Sequence, residues 1–108
     1  MPVRHVTVST ATGTFPSTGW VDFGGDSYRF MSYADDRTES DKDIKGKIEG
    51  SLGGSNKWVE LVALTTDSTG TIFATTGTKD FTQFDKARLI VSTNNSTSEF
   101  GAWIAAGD

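Results

Sequence analysis

Residues 57–65, KWVELVALT, constrain the fold of this chain more than any other segment, because they form its longest apolar-rich run without glycine or proline. In an extended conformation, alternate side chains point to opposite faces. One face then carries Val59, Leu61 and Ala63, and the other carries Trp58, Val62 and Leu64, with Glu60 as the polar exception. A segment with two apolar faces needs cover on both sides, which predicts a central strand between two packed layers. A short buried helix could show the same run, but the aromatic and β-branched content favours a strand.

The composition favours many short strands over helices. About a quarter of the residues are threonine or serine, and there are 12 glycines and only 2 prolines among 108 residues. This polar bias is also typical of disorder, but the 3 tryptophans and 7 phenylalanines along the chain favour a packed core. The length predicts a single domain over residues 1–108.

Further strands are predicted wherever short apolar or alternating runs lie between turn residues. These are residues 3–10, 20–23, 27–33, 71–76, 86–93 and 99–106. Within the first of them, Val6 and Val8 are expected to face inward, and the mixed faces predict an edge strand. The predicted fold is all-β, an antiparallel β-sandwich or small barrel of seven to nine short strands. Jelly-roll and immunoglobulin-like topologies both remain open.

Residues 34–50 hold 10 of the 24 charged residues and allow two interpretations. Ser40 and Asp43 before Ile44 and Ile48 could begin a capped helical turn. Gly46 disfavours a helix, so we expect a hydrophilic loop that leads into an edge strand. In that strand Ile44, Gly46 and Ile48 face inward, and Lys45 and Lys47 face outward, as is common on exposed edges.

Charge and residue content exclude several classes of function. The chain has no cysteine, which removes disulfides, thiolate metal sites and cysteine nucleophiles. Its single histidine, His5, removes most other metal sites and catalytic triads. Its net charge of −4 argues against binding to nucleic acid or to an anionic membrane. No apolar run approaches the roughly 20 residues of a membrane span, and no signal segment opens the chain. We therefore expect a soluble protein.

An acidic cluster is the strongest candidate for a metal site. It comprises Asp35, Asp36, Glu39, Asp41 and Asp43. These carboxylates are suitable calcium ligands, but Lys45 occupies the third ligand position of an EF-hand loop and Leu52 occupies the twelfth. A solvated loop is the preferred interpretation, and no metal is predicted.

Catalytic candidates are few. His5 has no nucleophile elbow to accompany it. Asp22 and Glu60 could form a glycosidase pair, but nothing in the sequence brings them together. The two Gly-Gly pairs, at 24–25 and 53–54, lack the lysine and helix of a phosphate-binding loop. The sequence therefore assigns no catalytic, cofactor-binding or metal residue, and we expect a protein that is not an enzyme.

Exposed aromatic residues are the remaining candidates for a binding site. The aromatic residues from which such a surface could come are Trp20, Tyr28, Tyr33, Trp58 and Trp103. Most are expected in the core, and one or two at the surface could form a sugar- or peptide-binding platform or an oligomer interface.

Two segments, TGTFPSTGWVDFGG at 12–25 and FTQFDKARLIVSTNNSTSEFGAW at 81–103, give the chain its general character. In these the chain resembles small structural proteins of tailed-phage virions, namely head decoration (cement) proteins and tail modules. The resemblance implies a homo-oligomer, often a trimer, that binds capsid or tail proteins and stabilises the assembly within the virion. The alternative is a carbohydrate-binding module or lectin-like domain, for which we expect two coplanar exposed aromatic rings or a bound calcium.

Overall fold

The computed structural model describes residues 3–23, 30–35, 44–52, 56–65, 73–75 and 84–107. These residues form nine β-strands and no helix. The strands are β1 (Val3–Val8), β2 (Gly13–Phe15), β3 (Val21–Asp22), β4 (Phe30–Asp35), β5 (Ile44–Leu52), β6 (Trp58–Thr65), β7 (Phe73–Thr75), β8 (Phe84–Asn94) and β9 (Phe100–Gly107). Among the described ranges there is accordingly no helix long and apolar enough to cross a membrane.

The strands form two antiparallel sheets. In one, the β9 sheet, the order is β1-β9-β4-β7, and in the other, the β8 sheet, it is β2-β8-β5-β6, with β3 also paired to β8. Once the two-residue β3 is set aside, the strand order is that of a jelly roll, in which each sheet combines strands from both ends of the chain. The predicted antiparallel β-sandwich is confirmed.

The core lies between the sheets and is built mainly by alternation of buried and outward residues, which is clearest in β8 and β9. In β8, Ala87, Leu89 and Val91 are buried, while the residues between them face outward. Val6 and Val8 are buried in β1, an edge strand of the β9 sheet, as the sequence predicts. The remaining large core side chains are Phe15, Phe23, Ile44, Ile48, Leu61, Phe84, Phe100 and Ile104.

The prediction that residues 57–65 form a central strand is wrong, because β6 ends the β8 sheet. Its register with β5 shifts between Ile48, which pairs with Val62, and Glu49, which pairs with Glu60. Leu61 is the extra residue of this bulge and is 5% exposed, whereas Ala63 is exposed. The bulge therefore divides the predicted face: Leu61 enters the core and Ala63 is exposed, while Trp58 from the other face lies on an outer surface.

The prediction that residues 44–50 enter an edge strand is also wrong, because β5 lies between β8 and β6. Ile44 and Ile48 are buried, as predicted. Lys47 points outward from the open face of the sheet, so it does not protect an edge. Gly46 is required by close packing, since an added Cβ would collide with the carbonyl oxygen of Ile90. The alternative helical turn is not formed at Ile44 and Ile48, which lie in β5, while its first residues, 40–43, lie outside the described residues.

The strands predicted at 86–93 and 99–106 are confirmed by β8 and β9. Those predicted at 20–23, 27–33 and 71–76 correspond to the shorter β3, β4 and β7, as far as these residues are described. Arg4 joins the two sheets at one side of the sandwich: its Nε donates to the carbonyl oxygen of Asp22 at 2.7 Å. Its guanidinium carbon also lies 5.7 Å from the ring centre of Phe23.

Candidate functional site

The outward face of the β8 sheet has a small residue at its middle. Ser51 in β5 pairs with Lys86 of β8 on one side and with Trp58 of β6 on the other. Residues paired in register share a face, so these three side chains lie on the same, outward side. Ser51 is 0% exposed even so. The larger side chains around it therefore cover the sheet at this point.

A second tryptophan reaches this face from the opposite edge of the sheet. Trp20 directly precedes β3, which pairs with β8. A turn positions it: the N–H of Gly19 donates to the carbonyl oxygen of Pro16 at 2.8 Å. Gly19 has a φ of +109°, which glycine adopts without the strain that a side chain would cause. The turn and the short strand together direct Trp20 toward the middle of the sheet.

The two tryptophans meet on this face. The ring centroids of Trp20 and Trp58 are 6.4 Å apart, and the ring planes are inclined by 43°. Trp20 is 44% exposed, and Trp58 is half-buried. This is an open aromatic surface that follows the twist of the sheet and does not form a flat plane.

A cationic side chain from β8 lies over each of the two tryptophan rings. The ammonium of Lys86 lies 4.9 Å from the ring centre of Trp20, and the guanidinium carbon of Arg88 lies 4.1 Å from that of Trp58. Both distances are within the range of cation–π attraction. Alternation in β8 places these two side chains on the outward face, two residues apart.

Glu49 holds Arg88 in place. Its Oε1 accepts from both Nε and Nη2 of Arg88 at 2.8 Å, and its Oε2 lies 3.3 Å from Nζ of Lys47. Glu49 is 8% exposed, so this carboxylate is largely removed from water and satisfied by two cations. We refer to Trp20, Trp58, Lys86, Arg88 and Glu49 together as the tryptophan face.

The two carboxylates considered as a glycosidase pair are not brought together, in agreement with the sequence analysis, which assigned no catalytic residue. Asp22 lies in β3 and Glu60 in β6, at opposite margins of the β8 sheet with β8 and β5 between them. Three strand spacings correspond to roughly 14 Å. Glycosidases need their two carboxyl groups about 5–9.5 Å apart. The face therefore offers aromatic rings and hydrogen-bond donors, which suit binding, but no acid–base pair from these residues.

A second exposed tryptophan lies on the far side of the sandwich. Trp103 in β9 is 46% exposed, and its ring packs edge-on against that of His5 in β1, with centroids 4.5 Å apart. Val3, which lies on β1 with His5, is 49% exposed. The structure thus separates the three tryptophan candidates between two opposite outer surfaces.

The other candidates fall largely outside the described residues. These are Tyr28, Asp36, Glu39, Asp41 and Asp43, while Tyr33 and Asp35 are placed only as backbone positions in β4. Within the described ranges, no three histidine, aspartate or glutamate side chains come close enough to hold a metal ion.

Sequence reasoning missed the three charged members of the tryptophan face, Glu49, Lys86 and Arg88. The alternation of cations with apolar residues in β8 indicates an outward cationic row and could have identified the latter two. Glu49 could not be found in this way, because its contact with Arg88 joins residues 39 positions apart.

Comparisons with known proteins identify the fold and no family. No protein-family profile matches the chain, and no curated protein matches it by sequence. A fragment of a putative chitobiase from Bacteroides thetaiotaomicron superposes with a TM-score of 0.64 at 14% identity, over 88% of this chain and 60% of that one. A family 29 carbohydrate-binding module from Piromyces equi superposes with a TM-score of 0.62 at 12% identity, over 94% of this chain and 69% of that one.

A third solved structure is the CBM32 domain of AlyQ in complex with 4,5-unsaturated mannuronic acid. It superposes with a TM-score of 0.53 at 11% identity, over 94% of this chain and 76% of that one. The chain therefore spans about two thirds of the length of these structures. At such low identity the similarity establishes a shared β-sandwich fold.

Proposed function

We propose that this domain binds carbohydrate without catalysing a reaction, and that the tryptophan face is its binding surface. One observation carries the proposal: Trp20 and Trp58 converge from opposite edges of the β8 sheet onto its outward face, with ring centroids 6.4 Å apart. Neither ring is needed there to fill the core, because the core is built from the opposite side of the sheet.

The chemistry of this surface suits a sugar. A pyranose ring has an apolar C–H face that packs against an aromatic ring, and hydroxyl groups at its edge that need hydrogen-bond partners. Lys86 and Arg88 place N–H donors beside the two rings. Glu49 holds Arg88 before any ligand arrives, which reduces the entropy that ordering its side chain would cost on binding.

The comparisons support the same proposal. Two of the solved structures described above are named as carbohydrate-binding modules, and one of these contains a bound sugar acid. None of the three is named as a virion protein. The virion role, with its homo-oligomer or trimer on a capsid or tail lattice, remains a prediction from the resemblance, and the carbohydrate alternative becomes the preferred function.

The angle between the two tryptophan rings restricts the physical form of the glycan that can contact both of them. The sequence-based alternative expects two coplanar rings, but Trp20 and Trp58 are inclined by 43°. Two inclined rings cannot both lie flat on a crystalline polysaccharide surface, whereas a single chain can rotate between successive sugars. We therefore propose a single soluble glycan chain as the ligand.

The test is binding to a panel of soluble glycans, measured by affinity electrophoresis and isothermal titration. Trp20→Ala is expected to weaken binding by about 30-fold or more, as for a central aromatic contact of about 2 kcal/mol. Trp103→Ala is the matched control, because Trp103 is equally exposed but lies on the opposite sheet.

The two variants separate the possible outcomes. Unchanged affinity of Trp103→Ala together with loss in Trp20→Ala supports the tryptophan face. The reverse result would place binding on the β9 sheet and refute this site. No binding by the native chain to any glycan of the panel would refute the function.

A further inference from the structure

The positive charge of the tryptophan face is concentrated at its centre. The two cations of β8, Lys86 and Arg88, lie over the rings. Two acids flank them on the same face: Asp22 in β3 is the register partner of Lys86, and Glu60 lies in β6. Glu49 is the one acid at the centre, and it is engaged by Arg88 and Lys47. A ligand that stacks on the rings therefore contacts these two cations.

Lys86 differs from the other cations of this face in its partners. Across the described part of the chain, no carboxylate lies within ion-pair distance of its ammonium, which contacts the ring of Trp20 at 4.9 Å. Arg88 and Lys47 both contact the same carboxylate. Lys86 thus holds a positive charge that an anionic ligand can satisfy.

The position of this ammonium also affects stacking. It lies over the ring of Trp20, so a neutral sugar that stacks on the same side of that ring must displace it and lose the cation–π contact. A sugar with an anionic substituent can move the ammonium aside and bind it at the same time, which forms a charge-assisted hydrogen bond in exchange. Stacking and charge therefore favour the same kind of ligand.

We propose that the tryptophan face selects anionic glycans, with Lys86 as the residue that binds the carboxylate or sulfate group beside the sugar stacked on Trp20. This inference rests on the proposed carbohydrate-binding function and names the chemical class of its ligand. A lysine is a compact charge with rotatable donors, so it accepts either kind of anion.

The experiment compares two pairs of polymers of matched backbone by isothermal titration. Polygalacturonate is paired with its methyl ester, and dextran sulfate with dextran. The charged member of at least one pair is expected to bind the native chain about tenfold more tightly, as for one charge-assisted hydrogen bond. The pair that shows the difference identifies carboxylate or sulfate as the preferred anion.

Two lysine variants test the assignment to Lys86. Lys86→Gln is expected to lose about tenfold in affinity for the charged polymer and to bind its neutral partner at least as tightly as the native chain. Lys45→Gln is the control for nonspecific attraction, because Lys45 is an exposed lysine on the neighbouring strand β5, four residues before Glu49. It is expected to retain native affinity for both members of the pair.

Failure of this inference can be distinguished from failure of the proposed function. Equal affinity for the charged and neutral members, or binding only to neutral glycans of the wider panel, would overturn the selection of anions and leave carbohydrate binding intact. Equal losses in Lys86→Gln and Lys45→Gln would show general electrostatic attraction and overturn the role of Lys86. Absence of all glycan binding would refute both proposals.

Discussion

The guanidinium carbon of Arg88 lies 4.1 Å from the ring centre of Trp58, although the strands of these two residues do not pair. Strand β5 lies between them and presents Glu49 and Ser51 at this position. Ser51 is small enough for Trp58 and the β8 cations to meet above it, and Glu49 fixes Arg88 from the side. The arrangement of the side chains on this surface therefore depends on the inner strand β5.

Removing the charge of Glu49 is expected to weaken both folding and binding. In Glu49→Gln, Arg88 and Lys47 lose their carboxylate, which should lower the free energy of unfolding by about 1–2 kcal/mol, since Arg88 and Lys47 keep partial access to water. Glycan affinity should fall about threefold to tenfold because Arg88 no longer holds Trp58 in one arrangement. Urea unfolding and isothermal titration measure the two effects.

Glu60→Gln is the matched control for this prediction. Glu60 pairs with Glu49 across β5 and β6 but is exposed. Two like charges opposite each other are unfavourable, so the change should leave stability equal or about 0.2–1 kcal/mol higher. If Glu49→Gln matched this control in stability, the carboxylate would not be anchoring Arg88.

Ile48 tests the core of the sandwich. It is 0% exposed and pairs with Leu89 of the neighbouring strand β8. Both side chains point into the core between the two sheets. Ile48→Ala should cost about 2–5 kcal/mol of unfolding free energy, and Ile48→Val about 0.5–1.5 kcal/mol, because the cavity grows with the volume removed. Denaturant midpoints at constant slope would measure both. A small effect in Ile48→Ala would mean that the two sheets pack less closely than described.

Two glycines of β5 should differ in their tolerance of alanine. A Cβ at Gly46 would collide with the carbonyl oxygen of Ile90, so the backbone itself must move, at more than about 3 kcal/mol. A Cβ at Gly50 would lie 2.7 Å from Cδ1 of Leu61, a side chain that can adjust, at about 1–3 kcal/mol. Thermal unfolding of both variants gives the ranking, and the reverse order would contradict the β5–β8 register.

Asn94 should be a strong determinant of loop stability. Its Nδ2 donates to the carbonyl oxygens of Ser9 at 2.8 Å and Ala11 at 2.9 Å, and its Oδ1 accepts from the N–H of Ser96 at 3.0 Å. Asn94→Ala leaves these groups without their partner and should cost about 1–3 kcal/mol.

Asn95 provides the control for Asn94, because it is exposed and its substitution by alanine should change stability by no more than about 0.5 kcal/mol. Both asparagines begin an Asn-x-Ser/Thr sequence. In a glycosylating host, mass spectrometry of peptides should find the glycan on Asn95, since the amide of Asn94 is already engaged. A glycan on Asn94 would contradict these hydrogen bonds.

Much of the fold follows from short-range patterns. The residues at 86–93 predict the strand that β8 forms, and Val6 and Val8 are correctly placed inward. The errors concern the position of a strand within its sheet: β5 is internal and β6 is at the edge, the opposite of the prediction. An apolar run has the same pattern whether its second face is covered by a layer or by a few large surface side chains.

The sequence by itself determined the all-β class and most strands, because alternation and turn residues act over a few neighbouring positions. Only the tertiary structure decided that Trp20 and Trp58 share one surface and that Glu49 binds Arg88. These contacts depend on the order of strands and on the bulge between Ile48 and Glu49, which sets the register of β5 against β6. Register is a property of pairs of distant segments, and a shift of one residue would turn each of these side chains to the other face.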